Sequence, residues 1–90
     1  MIGMFAISLA GHDKGQMYVI INEDDEYFYL SDGALRPIQK PKKKKKKHVQ
    51  PVKSGFNQTL FHKLQYGQLI YNEEIKFAIK ERRKQEVANV

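Results

Sequence analysis

Turn signals recur about every ten residues through the first three-fifths of this chain, and they leave no room there for a long helix. Residues 4–10 form a partly alternating apolar run that stops at Gly11. Residues 16–22 (Gln-Met-Tyr-Val-Ile-Ile-Asn) are β-branched and aromatic and read as a second strand. Residues 27–30 follow a four-acid turn at 23–26 and make a third. Ser31-Asp32-Gly33 is a strong hairpin-turn signal, because Asp-Gly readily takes positive φ. Residues 34–38 read as a short fourth strand, and Pro37 within it suits an edge. Residues 48–52 read as the last. Five such strands predict a small, strongly bent antiparallel barrel over residues 3–53. Alternation puts one set of side chains inward, and Val19 and Ile21 are the expected set rather than Tyr18 and Ile20.

After Ser54-Gly55 the pattern changes. Phe56, Leu60 and Leu64 recur every fourth residue and Gly67 supplies a stop, which predicts a helix over 56–66. Asn72 is the expected cap of a second helix, with Glu73 and Glu74 in its first turn. Ile75, Ala78 and Ile79 form its apolar stripe, Lys76, Lys80, Arg83 and Lys84 a basic face, and residues 87–90 a frayed tail. Ile75, Phe77 or Ile79 is expected to cover an open end of the barrel. The organisation is thus a barrel at 1–53, including a basic loop at 39–47, and a helical extension at 54–90.

Charge is distributed very unevenly. Residues 1–35 carry one base and six acids, residues 36–53 nine bases and no acid, and residues 54–90 six bases and four acids. Without the six consecutive lysines 42–47 the net charge of +6 becomes zero. Adjacent ammonium groups repel, so this run is expected to be extended and mobile, and its neutralisation to leave folding unchanged. A field this concentrated calls for a polyanion. Lysine is a point charge that suits phosphate contact better than base reading.

Other chemistry is sparse. There is no cysteine, which excludes disulfides and thiolate metal sites. His12, His48 and His62 have no metal-ligand spacing, and no nucleophile, base and orienting group can be assembled, so neither an enzyme nor a cofactor is expected. The start of the chain lacks the basic region of a secretory signal and no run is long enough to span a bilayer, so a cytoplasmic protein without a membrane partner is expected. Gly11-His12-Asp13-Lys14-Gly15 is a turn in which Asp13 and Lys14 read as solvent-facing. Its glycines would let backbone N–H groups approach a phosphate.

With these residues in view, the first three-fifths of the chain resembles the KOW family of small SH3-like barrels found in ribosomal proteins and transcription–translation factors. The resemblance rests on the run at 4–10, the Gly11–Gly15 turn, the run at 16–22 and Ser31-Asp32-Gly33. More narrowly, it resembles a group of short bacterial KOW proteins similar to eukaryotic and archaeal large-subunit ribosomal proteins. In that group an Asp-Gly turn leads to an arginine and then a proline–lysine run ending in histidine. Here those are Asp32-Gly33, Arg36-Pro37, and Pro41 followed by lysines 42–47 and His48, with Glu73-Glu74-Ile75 matching the group's usual ending. Tyr18 stands where many KOW sequences carry glycine, as the narrower group tolerates.

The resemblance implies a mainly β fold, an SH3-like five-stranded antiparallel barrel with a short C-terminal helical appendage. It also implies RNA binding through the loop surface. The expected partner is RNA of the translation apparatus, above all ribosomal RNA or the ribosome, with ribosomal proteins as neighbours and the chain itself a monomer. Expected phosphate contacts are Lys14, Arg36, Lys40, Lys42, Lys43, Lys44, Lys45, Lys46 and Lys47, with Gly11 and Gly15 shaping the turn and His48 and Lys53 flanking the site. The competing expectation is a protein-interaction module that docks an acidic partner through the same basic segment.

Overall fold

A ladder of five antiparallel strands organises the chain in this computed structural model, which describes residues 1–88, with side chains through Gln85. The strands are β1 (Phe5–Ser8), β2 (Met17–Glu23), β3 (Tyr27–Ser31), β4 (Lys42–Lys45) and β5 (Val49–Val52), in the spatial order β4-β3-β2-β1-β5. Two helices follow, α1 (Gln58–Gln65) and α2 (Asn72–Ala88). Strands β4 and β5 occupy opposite edges, yet a single 3₁₀ turn, Lys46–His48, joins them. Laid flat, edges four strand spacings apart would be ~19 Å from one another. The chain from Lys45 to Val49 spans at most roughly 15 Å. The sheet must therefore curl. No ladder between β4 and β5 closes it among the described residues.

The predicted fourth strand at 34–38 does not form. Its backbone groups are taken locally: the Asp32 carboxylate accepts from the N–H groups of Ala34 (2.9 Å) and Arg36 (2.8 Å), and the Ser31 hydroxyl donates to the Arg36 carbonyl (2.7 Å). This Asx-type arrangement turns the chain instead of extending it. Ser31-Asp32-Gly33 is accordingly the start of a longer loop and not a tight hairpin. The fourth strand is the lysine run itself, so the expected mobile loop is a correction. Leu30, Tyr29, Phe28 and Tyr27 of β3 pair with Lys42, Lys43, Lys44 and Lys45 respectively. The last strand starts at Val49, since His48 belongs to the 3₁₀ turn.

Both faces of β1 and β2 are buried, which corrects the expectation of one inward set. Tyr18 and Ile20 lie on the concave side with Met4, Ala6, Phe28, Leu30 and Val49. Val19 and Met17 lie on the other side with Phe5, and there Leu60 of α1 and Ile75 and Ala78 of α2 cover them. Alternation holds, but the helices make the second face a core as well. They are part of the fold and not an appendage. Phe56 and Phe61 pack against the concave cluster, their rings 4.9 Å apart, whereas Phe77 remains 60% exposed and covers nothing. A register shift between Ile20 and Asn22 marks a bulge in β2, which adds twist where the sheet must bend.

The helix ends are set by side-chain chemistry. Asn57 caps α1 by accepting from the Leu60 N–H at 2.9 Å. At the other end Gly67 takes φ 63°, and the N–H groups of Gln68 and Gly67 bond the carbonyls of Lys63 and Leu64 at 2.8 and 3.4 Å, a Schellman stop. Asn72 does not cap α2. Glu74 does, reaching back to the Tyr71 N–H at 2.8 Å. Asn72 instead accepts from the Ile38 N–H at 2.8 Å and donates to Gln39 at 3.1 Å, tying α2 to the loop before β4. Helix α2 continues through Val87 and Ala88, and residues 89–90 of the expected frayed tail lie outside the described residues. No helix among the described residues is long and apolar enough to cross a membrane.

Gly33 makes this junction possible. It has φ 74°, and a Cβ there would run into the Asn72 carbonyl oxygen and crowd Lys76. Gly33→Ala is expected to cost about 2–3 kcal/mol, from left-handed strain plus displacement of α2. Urea unfolding with an unchanged m-value would read this out; an unchanged midpoint would mean that the helix is not seated on the loop.

Candidate nucleic-acid interface

A run of identical residues has no sequence period, but a strand imposes one. With β4 paired to β3, lysines of even number turn to the concave side and lysines of odd number to the outer side. The even set is neutralised inside the protein. Lys42 Nζ and Lys44 Nζ approach the two oxygens of Asp13 at 3.0 and 2.8 Å. Lys44, its side chain only 11% exposed, also donates to the Ala10 carbonyl at 2.6 Å. Lys46 meets Glu23 at 2.9 Å, a carboxylate that also pairs with the amino terminus.

Asp13 is the hub of this arrangement and not the solvent-facing turn residue expected. It accepts from the Ser8 hydroxyl at 2.9 Å and the Tyr18 hydroxyl at 2.7 Å as well as from both lysines. Burial alone would raise its pKa. The hydrogen bonds from Lys44, Tyr18, Lys42 and Ser8 outweigh burial and hold the carboxyl far below the usual carboxylate range. Burial pushes the Tyr18 phenol up, and the Asp13 charge pushes it further. A lone acid between two glycines, in a chain whose residues 36–53 carry nine bases and no acid, was the one signal that pointed to Asp13.

The odd set is free to face outward. Lys43, Lys45 and Lys47 are exposed. Lys43 and Lys45 share the outer face with their cross-strand partners Tyr29 and Tyr27, and Lys43 Nζ sits 4.3 Å from the Tyr27 ring centre. Residues two apart on a strand stand ~6.8 Å apart, which is every second phosphate of a strand stacked at ~3.4 Å per nucleotide. Lys47 and His48 continue the row in the 3₁₀ turn, and both are exposed.

The Gly11–Gly15 turn lies against this segment. The Leu9 N–H bonds the His48 carbonyl at 2.9 Å, and Ala10 and Asp13 hold Lys44 from the same side. Lys14 is exposed, and Gly15, at φ 88°, has open space where a Cβ would sit. Arg36 and Lys40 are exposed in the loop that enters β4. Lys53 is set apart: it follows β5 at the end away from His48, ~16 Å along the strand direction. The Lys46 N–H bonds the Glu26 carbonyl at 2.9 Å, which places the exposed acids Asp24, Asp25 and Glu26 as an anionic boundary beside the row.

Of the expected contacts, Gly11, Lys14, Gly15, Arg36, Lys40, Lys43, Lys45, Lys47 and His48 are exposed, whereas Lys42, Lys44 and Lys46 are held in ion pairs with Asp13 and Glu23. Compared with known proteins, the chain matches no family model, and no curated protein is significantly similar to it.

Proposed function

We propose that the protein is a non-enzymatic RNA-binding module of the translation apparatus, a monomeric cytoplasmic protein whose curled sheet is an SH3-like barrel of the KOW type. Its ligand is ribosomal RNA, gripped by the phosphodiester backbone. The observation that carries this reading is the pair of outward ammonium groups on Lys43 and Lys45, spaced by strand β4 and followed by exposed Lys47 in the 3₁₀ turn. Lys14, Arg36 and Lys40 add phosphate contacts, and Gly11 and Gly15 supply the positive φ that shapes the turn carrying Lys14. In that turn the N–H groups of Lys14, Gly15 and Gln16 are already bonded to the carbonyls of Gly11, Ser8 and Asp13. Lys42, Lys44 and Lys46 set the strand's position and are not ligands.

Crosslinking in cells, sequencing of the bound RNA and gradient sedimentation test the proposal. Ribosomal RNA should dominate the crosslinks and the protein should co-sediment with ribosomal particles. Crosslinks spread over all cellular RNA with no ribosomal enrichment would remove the translation part of the reading.

A second reading has its own observation. Strand β4 is a sheet edge, and lysines on an exposed edge prevent pairing with another chain. On that reading the outward lysines keep the protein monomeric, and their neutralisation produces self-association with RNA affinity unchanged.

A further inference from the structure

Helix α2 has an unpartnered side that the RNA reading does not use. Between it, the start of β2 and the 32–34 loop runs an open groove of about 930 Å³. Met17, Phe77 and Ile79 form an apolar floor, and Phe77 is 60% exposed at its centre. Lys76, Lys80, Arg83 and Lys84 line the helix side, while Asp32 is the one carboxylate among the described lining residues. The walls are preformed. Gly33 packs against the first turn of α2, and Asn72 is bonded to Ile38 and Gln39.

We propose that this groove binds an acidic amphipathic segment of another protein. The segment would place apolar side chains on Met17, Phe77 and Ile79 and carboxylates against the cation row. Charge complementarity selects this occupant. Lys76 and Lys80, and Lys80 and Lys84, are like charges at i,i+4 that disfavour the free helix, and among the described residues only Lys84 of these has a carboxylate of its own helix near it, Glu81 at 3.7 Å. A bare phosphate chain would answer the cations and leave the aliphatic floor wet. An acidic helix with apolar residues at i and i+4 answers both, as in helix-in-groove recognition. From Lys76 to Lys84 the row is ~12 Å long, about two turns of such a partner. None of the lysines 42–47 takes part, so the proposal stands or falls apart from RNA binding.

A phage-displayed library of random 12-residue peptides, panned on the full chain, is the test. Selected peptides should be rich in Asp, Glu and large apolar residues. Binding of the resynthesised peptides should weaken at least tenfold in Phe77→Ser and in Lys80→Glu. Both positions are solvent-facing, and a melting curve on each variant separates lost binding from lost fold. Four results would overturn the proposal: no enrichment, enrichment of peptides without acids, peptides that bind both variants as well as the parent, or a decauridylate that shifts the Phe77 ring resonances in place of the peptide. Concentration-dependent dimerisation abolished by Phe77→Ser would also overturn it, by giving the groove to a second copy of this chain.

Discussion

Asp13→Ala is expected to destabilise the protein by about 3–5 kcal/mol, because it removes the shared partner of a largely buried cluster of two lysines and two hydroxyls and leaves all four without that acceptor. Lys44 and Lys42 would keep their charges at 11% and 25% side-chain exposure with no counter-ion, and the Ser8 and Tyr18 hydroxyls would lose their acceptor. For a domain of this size the melting temperature should fall by roughly 15–30 °C. The inner and outer lysines should then separate cleanly. Lys44→Gln costs about 1–3 kcal/mol as a charged hydrogen bond is lost, and Lys43→Gln stays within about 0.5 kcal/mol. Equal costs for Lys43 and Lys44 would disprove the alternation. It follows that neutralising the whole run is not benign for folding, contrary to what a mobile loop would allow.

The same cluster sets an acid limb. The folded-state pKa of Asp13 lies below its unfolded value. Its contribution is therefore complete above the unfolded pKa of ~3.9 and is lost as pH falls through the folded value. Stability should decline from about pH 4 downward, and Asp13→Asn should lack that share of the decline. Chemical denaturation at pH 7, 4 and 2.5 on both proteins measures it.

Replacing Lys43, Lys45 and Lys47 together with glutamine should weaken RNA binding on the order of 100-fold at about 0.1 M salt, at about 0.7 log units per phosphate contact. If Lys14, Arg36 and Lys40 also touch phosphates, the parent's slope of log affinity against log salt is about −4.2, and the triple variant's about −2.1. The loss should be similar on every RNA sequence, because phosphate contacts carry no base identity. All three side chains are exposed, so the variant should melt with the parent. Unchanged affinity and slope, with a rise in sedimentation coefficient, would replace the RNA role by the edge-protection reading.

Local chemistry was legible without coordinates. The turns at Gly11–Gly15 and at the acid tip, the cores of β1, β2 and β3, the stop at Gly67 and the position of both helices follow from side chains acting on backbone a few residues away. Short-range hydrogen bonding and steric preference decide such features, and each is written in a window of ten residues or fewer. The failed strand at 34–38 belongs to the same range: the Asp32 carboxylate and the Ser31 hydroxyl were there to be read as turn-makers for the whole segment.

Only the tertiary structure decided what the lysines do. Six identical residues carry no pattern from which to read a face. Pairing with Tyr27–Ser31 supplied the period of two, and Asp13 and Glu23, each about 20 to 30 residues distant, supplied the charge that lets three of the six turn inward. The burial of Val19 as well as Tyr18 has the same origin. Alternation along β2 is a local fact, but whether the outer face meets water or Ile75 depends on where α2 returns, more than fifty residues later. Sequence determined which atoms were charged and which segments could extend; long-range pairing determined which of those charges remain available to a ligand.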